Sequence, residues 1–276
     1  MLPPPETNDS IYISQVIELD TMFTTGLDTA QHTIYKYDAS GRLSYVWFGE
    51  YFRGVPGADL TDDYYYFYNG SDSLPYKIVN LAGSRGYSAG FTIGRYDTTY
   101  LFYNGAGIVI KDSVCSANED QVYQSTTVST FTRIDDGHYR IDRKKISATG
   151  VSTNYTNSHF VRVNGNLLSS KDTTFDFGSG INVVSIESLS YDSKPNPLLR
   201  TVLRYPTSTS YGNVLGESAV NNFTRWQARY EFTPSFGYDY LEIYEYKYRA
   251  DGYPILRLTK DQVEPSLIRK YIYTKR

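Results

Sequence analysis

The chain has one cysteine, Cys115, in 276 residues. A single thiol excludes an intrachain disulfide framework and any zinc cluster built from cysteines. Histidine is scarce as well. His32, His138 and His159 lie far apart and form neither an H-x-x-x-H nor an HExxH spacing, so no metal site and no cofactor is read from the sequence. No apolar run approaches the roughly 18–20 residues of a membrane-spanning helix. Positive charge is not clustered beyond short pieces such as Arg143-Lys144-Lys145, and the formal net charge is −3. A phosphate-backbone footprint needs a basic stripe, so nucleic acid is not an expected partner.

What the chain has in excess is tyrosine, 29 residues against 13 phenylalanines and 2 methionines. Tyrosine packs its ring on apolar neighbours while its hydroxyl reaches a polar partner or water. It favours half-buried pleated surfaces. The pattern agrees. In the stretch from Tyr240 to Arg249, one face carries Tyr244, Tyr246 and Tyr248. The other begins with Leu241 and Ile243 and turns charged at Glu245, Lys247 and Arg249. This period of two predicts a strand.

Turn signals separate such runs. Asp38-Ala39-Ser40-Gly41, Asn69-Gly70, Asn104-Gly105, Asp136-Gly137, Asn164-Gly165 and Asp251-Gly252 each sit between aromatic or β-branched segments. They predict hairpins over 31–48, 63–80, 97–114, 127–147, 158–169 and 241–259. Two of them contain nearly the same hexapeptide, YYFYNG at 65–70 and YLFYNG at 100–105. The repeat reads as a building block, an aromatic strand arm followed by its turn, rather than as a ligand site. Its irregular spacing argues against a strict solenoid or propeller. A helical turn is expected only near Asn196–Leu203, with Pro197 in the first turn, and 206–222 reads as a long loop. Residues 1–10, Pro-rich and polar, read as a tether. Residues 11–276 read as a single β-domain, an antiparallel meander of about twelve or more strands that closes to remove its edges.

Several motifs bear on chemistry. Gly86-Tyr87-Ser88-Ala89-Gly90 matches G-x-S-x-G, but its flanks lack the strand-to-helix context of a nucleophile elbow. Asp62-Asp63 and Asp135-Asp136-Gly137 do not continue into a calcium loop. No catalytic residue is assigned. Trp47 and Trp226, with neighbouring tyrosine rows, are the candidates for a sugar-stacking platform; cross-strand aromatic pairs that merely stabilise the sheet are the competing reading. Asp-Ser/Thr pairs recur at Asp9-Ser10, Asp20-Thr21, Asp28-Thr29, Asp72-Ser73, Asp97-Thr98, Asp112-Ser113 and Asp172-Thr173. They resemble an O-glycosylation acceptor pattern of exported proteins.

Tyr35-x-Tyr37-Asp38-x-x-Gly41-x-Leu43, the run from Asp192 to Leu198, and Tyr246-x-Tyr248-x-x-Asp251-Gly252-Tyr253-Pro254 followed by Lys270-Tyr271-Ile272-Tyr273 together resemble a family. It is that of exported lipoproteins of gut anaerobes, with a domain of unknown function and a porin-like fold. The likeness spans most of residues 30–276. It implies a water-soluble, barrel-like antiparallel β-domain, tethered to the outer membrane through a lipidated cysteine upstream of Met1. It supplies no catalytic residues. A lipid-embedded porin fits poorly, because strand 240–249 lacks the apolar lipid face such barrels need.

The sequence therefore predicts an all-β, porin-like soluble barrel with little helix. It is expected outside the cytoplasm, with membrane contact only through that anchor. Its expected role is a non-enzymatic binding or interaction module for a glycan or a surface protein. A hydrolase site assembled across the sheet and a purely structural role are the alternatives.

Overall fold

The computed structural model describes residues 11–20, 28–51, 60–85, 91–135, 137–176, 181–200, 219–233, 236–260 and 265–275. Sixteen strands follow one another: β1 (Ile11–Asp20), β2 (Asp28–Tyr37), β3 (Leu43–Glu50), β4 (Leu60–Phe67), β5 (Lys77–Arg85), β6 (Phe91–Tyr103), β7 (Val109–Asn118) and β8 (Tyr123–Arg133). They continue with β9 (His138–Ser147), β10 (Ser152–Val163), β11 (Asn166–Asp176), β12 (Ile181–Pro195), β13 (Asn221–Thr233), β14 (Phe236–Tyr248), β15 (Pro254–Lys260) and β16 (Pro265–Lys275). Each strand pairs antiparallel with the next, and β1 pairs with β16 to close the barrel. Closure satisfies the backbone groups that an open sheet leaves bare at its edges.

All six predicted hairpins are present, and all six turns lie at one end, here the turn end. The turn chemistry differs in detail from the simple Asn-Gly expectation. Asn164 and Gly165 both have positive φ, 51° and 82°, as a two-residue hairpin turn requires. At Asn104 the turn is longer. The Asn104 side chain accepts hydrogen bonds from the N–H groups of Ala106 and Ile108, both at 3.0 Å. The left-handed residue there is Gly107, φ 72°, rather than Gly105. Asp38 builds the same turn, with Gly41 at φ 77°. The expected helical turn is a 3-10 helix at Pro197–Arg200, entered through a bond from the Leu198 N–H to the Asn196 carboxamide oxygen at 3.0 Å. Most of the predicted 206–222 loop lies outside the described residues. Its last two positions, Asn221 and Asn222, open β13 instead. The tether at 1–10 lies outside the described residues too.

The tyrosine excess has a structural explanation. Near the turn end, an inward tyrosine at or just past the end of one strand donates its hydroxyl to a backbone carbonyl at or just before the start of the preceding strand. Tyr37 bonds Ile13 (2.9 Å), Tyr68 bonds Leu43 (2.7 Å) and Tyr103 bonds Pro75 (2.7 Å). Tyr191 bonds Leu167 (2.6 Å), Tyr246 bonds Phe223 (2.9 Å) and Tyr273 bonds Pro254 (2.6 Å). Six of the eight hairpins defined by these strand pairs are thus clamped alike; near the ends of β8 and β10 stand Arg133 and Arg162 instead. Burial pushes the Tyr68 phenol up to about 12 and raises those of Tyr103, Tyr191, Tyr246 and Tyr273. These five clamps therefore remain donors at any physiological pH. Tyr246→Phe keeps the ring and deletes one bond, so it should lower unfolding free energy by about 1 kcal/mol, measured by urea denaturation.

Between the clamps, Ile78, Leu101, Val109, Phe131, Phe160 and Leu167 belong to one buried apolar cluster inside the barrel. Further along the same inward faces the lining turns polar, with Ser129, Ser158, Ser170, Asp172 and Glu187 buried.

Candidate functional site

The two tryptophans do not share a face. Trp226 points inward from β13, is 7% exposed, and meets the Tyr240 ring edge-on at 5.1 Å. Trp47 lies on the outer face of β3, opposite Ile34 and Asp63 in register, with the His32 ring 5.7 Å away. The barrel wall stands between them. Of the two candidates, only Trp47 therefore lies on the side of the wall that carries the outer aromatic rows. Each tryptophan alternates with its neighbours in the same way, and only closure of the sheet decides which side becomes the interior.

The outer face does carry an aromatic surface, and the two repeated hexapeptides build much of it. In YYFYNG the inward members are Tyr66 and Tyr68, so Tyr65 and Phe67 face out, each 38% exposed. In YLFYNG, Leu101 and Tyr103 face in, so Tyr100 and Phe102 face out, 41% and 47% exposed. Register connects them. Lys36 pairs with Tyr45, and Tyr45 with Tyr65. Phe67 follows Tyr65 on the same face of β4 and pairs with Lys77, which pairs with Tyr100. Phe102 follows Tyr100 on β6 and pairs with Lys111. The result is an unbroken diagonal band across β2–β7, in which every step is a cross-strand pair or an i, i+2 neighbour.

Its contacts are close. The Tyr45 and Tyr65 ring centroids are 5.2 Å apart. The Lys36 ammonium lies 4.9 Å from the Tyr45 ring, Lys77 4.2 Å from Phe67, and Lys111 5.3 Å from Phe102. Tyr45 also donates its hydroxyl to Asp63, and burial, with that carboxylate next, raises the Tyr45 phenol. The hexapeptides are therefore the strand arms and corners expected from sequence, and their outward residues form a surface as well. Period two in both copies was the available signal; which half faces out was not readable without the barrel.

The inner face holds the ionisable chemistry. Glu187 on β12 is 5% exposed and accepts a hydrogen bond from Ser170 Oγ at 3.2 Å. Burial, then the neighbouring Asp172, pushes its carboxyl up to about 7. The Trp226 indole N–H lies near this carboxylate and makes no well-formed hydrogen bond among the described residues. Glu242 accepts hydroxyls from Tyr240 and Tyr244. At the closing seam, Arg269 pairs with Glu18, and Arg257 approaches the same carboxylate at 3.9 Å.

The remaining sequence candidates are dispersed. His32 bonds Gln15 at 3.1 Å, His138 pairs with Asp135 at 2.6 Å, and His159 is exposed on β10. Among the described residues no three His, Cys, Asp or Glu side chains gather as metal ligands. Asp62 faces in and Asp63 out; burial raises the Asp62 carboxyl. Ser88 and Asp136 lie outside the described residues. Exposed charges stud the outer wall: Lys144, Lys171, Arg229, Glu245, Lys247, Lys260 and Lys270.

This architecture matches solved structures over nearly its whole length. A porin-like protein from Bacteroides vulgatus ATCC 8482 superposes with a TM-score of 0.50 at 9% identity, covering 96% of this chain and 99% of that one. A porin-like protein from Bacteroides uniformis ATCC 8492 gives 0.50 at 16% identity, covering 96% and 98%. At such identities the likeness establishes the fold, a porin-like closed antiparallel barrel. No protein-family model and no curated protein matches the chain.

Proposed function

We propose that the protein is a non-enzymatic glycan-binding module, which presents its ligand surface on the outer wall of the barrel. The observation that carries this reading is the aromatic band. Tyr65, Phe67, Tyr100 and Phe102 are large apolar rings held in water on adjoining strands. Flat rings of this kind stack on the C–H faces of sugars, and a rigid sheet fixes their spacing. In this reading the barrel is exported and held at the cell surface by a lipid anchor, as the family resemblance implies. Its charged outer wall supports contact with water rather than lipid, since each Lys or Arg at the bilayer midplane of a barrel costs about 2–4 kcal/mol.

A glycan array with purified protein tests the proposal. The wild type binds at least one glycan class, and the Phe67→Ala/Phe102→Ala double variant loses about tenfold or more in affinity. These side chains are exposed, so the variant should still fold, which its unfolding curve would verify. Binding that survives the double substitution unchanged would remove the band from the account.

A hydrolase remains the second reading, and Glu187 favours it. A buried carboxyl with a pKa near neutrality, beside a second carboxylate, is the arrangement that supplies a general acid.

A further inference from the structure

Every aromatic stretch of the outer band carries a lysine. We infer that the band selects acidic glycans, those bearing uronate or sulfate groups; this rests on the glycan-binding reading above. The ammonium groups of Lys36, Lys77 and Lys111 lie against Tyr45, Phe67 and Phe102 at 4.9, 4.2 and 5.3 Å. None of the three has a carboxylate partner among the described residues. Facing outward from β2–β7, Asp63 is the one carboxylate among the described side chains, and the Tyr45 hydroxyl already bonds it. The surface is thus basic within a chain whose net charge is −3. Elsewhere on the wall Arg140 pairs with Asp142, Arg229 with Glu231, and Lys260 with Glu245, whereas the three lysines of the band lie against rings.

Spacing supports the same ligand. Neighbouring strands lie about 4.8 Å apart and each two-residue step along a strand adds about 7 Å, which puts the backbone positions of Lys36 on β2 and Lys77 on β5 about 16 Å apart along the diagonal, and those of Lys77 and Lys111 about 12 Å apart. A row of cations separated by aromatic rings suits a chain molecule that alternates anionic groups with apolar sugar faces. An ammonium held over an exposed ring gains only about 0.5–1 kcal/mol from it. An arriving anion therefore draws the lysine away and leaves the ring face open to the sugar.

The test uses the full chain and a panel of oligosaccharides in matched pairs: uronate-bearing with the methyl-esterified form, and sulfated with the desulfated form. Titration should show the charged member of at least one pair binding about tenfold tighter. That preference should collapse in Lys77→Gln/Lys111→Gln and in high salt, while a Lys144→Gln/Lys171→Gln control keeps it. The two arms tell uronate from sulfate recognition. Equal binding of charged and neutral partners would overturn the inference while leaving the platform standing. Binding to no member of the panel or of the wider array would overturn both. A loss of preference equal in the control variant would assign it to general charge and also overturn the inference.

Discussion

Glu18→Gln should cost about 3–5 kcal/mol of unfolding free energy, the largest effect expected of any single substitution considered. Glu18 sits on β1, 6% exposed, where the first strand meets the last. It pairs directly with Arg269 on β16, itself 7% exposed, and Arg257 on β15 approaches at 3.9 Å. Arg257 is packed between rings, 4.7 Å from Tyr244 and 5.6 Å from Phe223, and is 2% exposed. Two guanidiniums thus share one carboxylate in a site removed from water. Glutamine has nearly the same volume, so the substitution removes charge rather than packing. The remaining cations then lose the partner that offsets their desolvation. The readout is the midpoint of urea unfolding with an unchanged m-value. A midpoint equal to wild type would mean that the closing seam does not depend on this carboxylate.

Glu187→Gln should act in the opposite direction, and only above acidic pH. The carboxyl is raised from an ordinary 4.5 to about 7, first by burial and then by Asp172. Between those values the folded protein holds a proton that the unfolded chain has released. Stability therefore falls as pH rises through this window, and the loss is complete above pH 7. Glutamine cannot ionise. At pH 8 the variant should be more stable than wild type by up to about 3 kcal/mol, at about 1.4 kcal/mol per pKa unit. Near pH 4.5 the two should coincide. Paired denaturation curves at the two pH values decide it, and an equal difference at both would assign the effect to packing instead. The same variant addresses the hydrolase reading, which requires wild-type release of reducing sugar and its loss in Glu187→Gln.

Much of the architecture was legible because local signals were dense. An Asn-Gly, Asp-Gly or Asp-x-x-Gly signal marks six of the seven connections at the turn end, all but that between β12 and β13, and period-two tyrosines mark the strands between. The resemblance through Tyr35-x-Tyr37 and Tyr246-x-Tyr248 pointed to the same fold; Tyr37 and Tyr246 turn out to be hydroxyl clamps. The site was less legible, because sidedness is a long-range property. Alternation tells which residues share a face, but closure of sixteen strands decides which face becomes the interior. Hence Trp226 went inside and Trp47 outside. The Asp-Ser/Thr pairs show the same effect. Asp97, Asp112 and Asp172 point inward while Thr98, Ser113 and Thr173 point outward, so one dipeptide serves two surfaces. The clustering of Glu187 with Asp172 and Trp226 was invisible for a related reason. These residues come from three strands and gather only through register.

The central claim is that ligand recognition belongs to the outer band and not to the lumen. Hydroxyl-radical footprinting of the protein with its best-bound glycan tests this most directly, because aromatic side chains are the main reporters on both faces. The account predicts protection of Tyr65, Phe67, Tyr100 and Phe102, with Trp226, Tyr240 and Tyr244 unchanged. Protection confined to Trp226, Tyr240 and Tyr244, with the four outer rings unaffected, would contradict it.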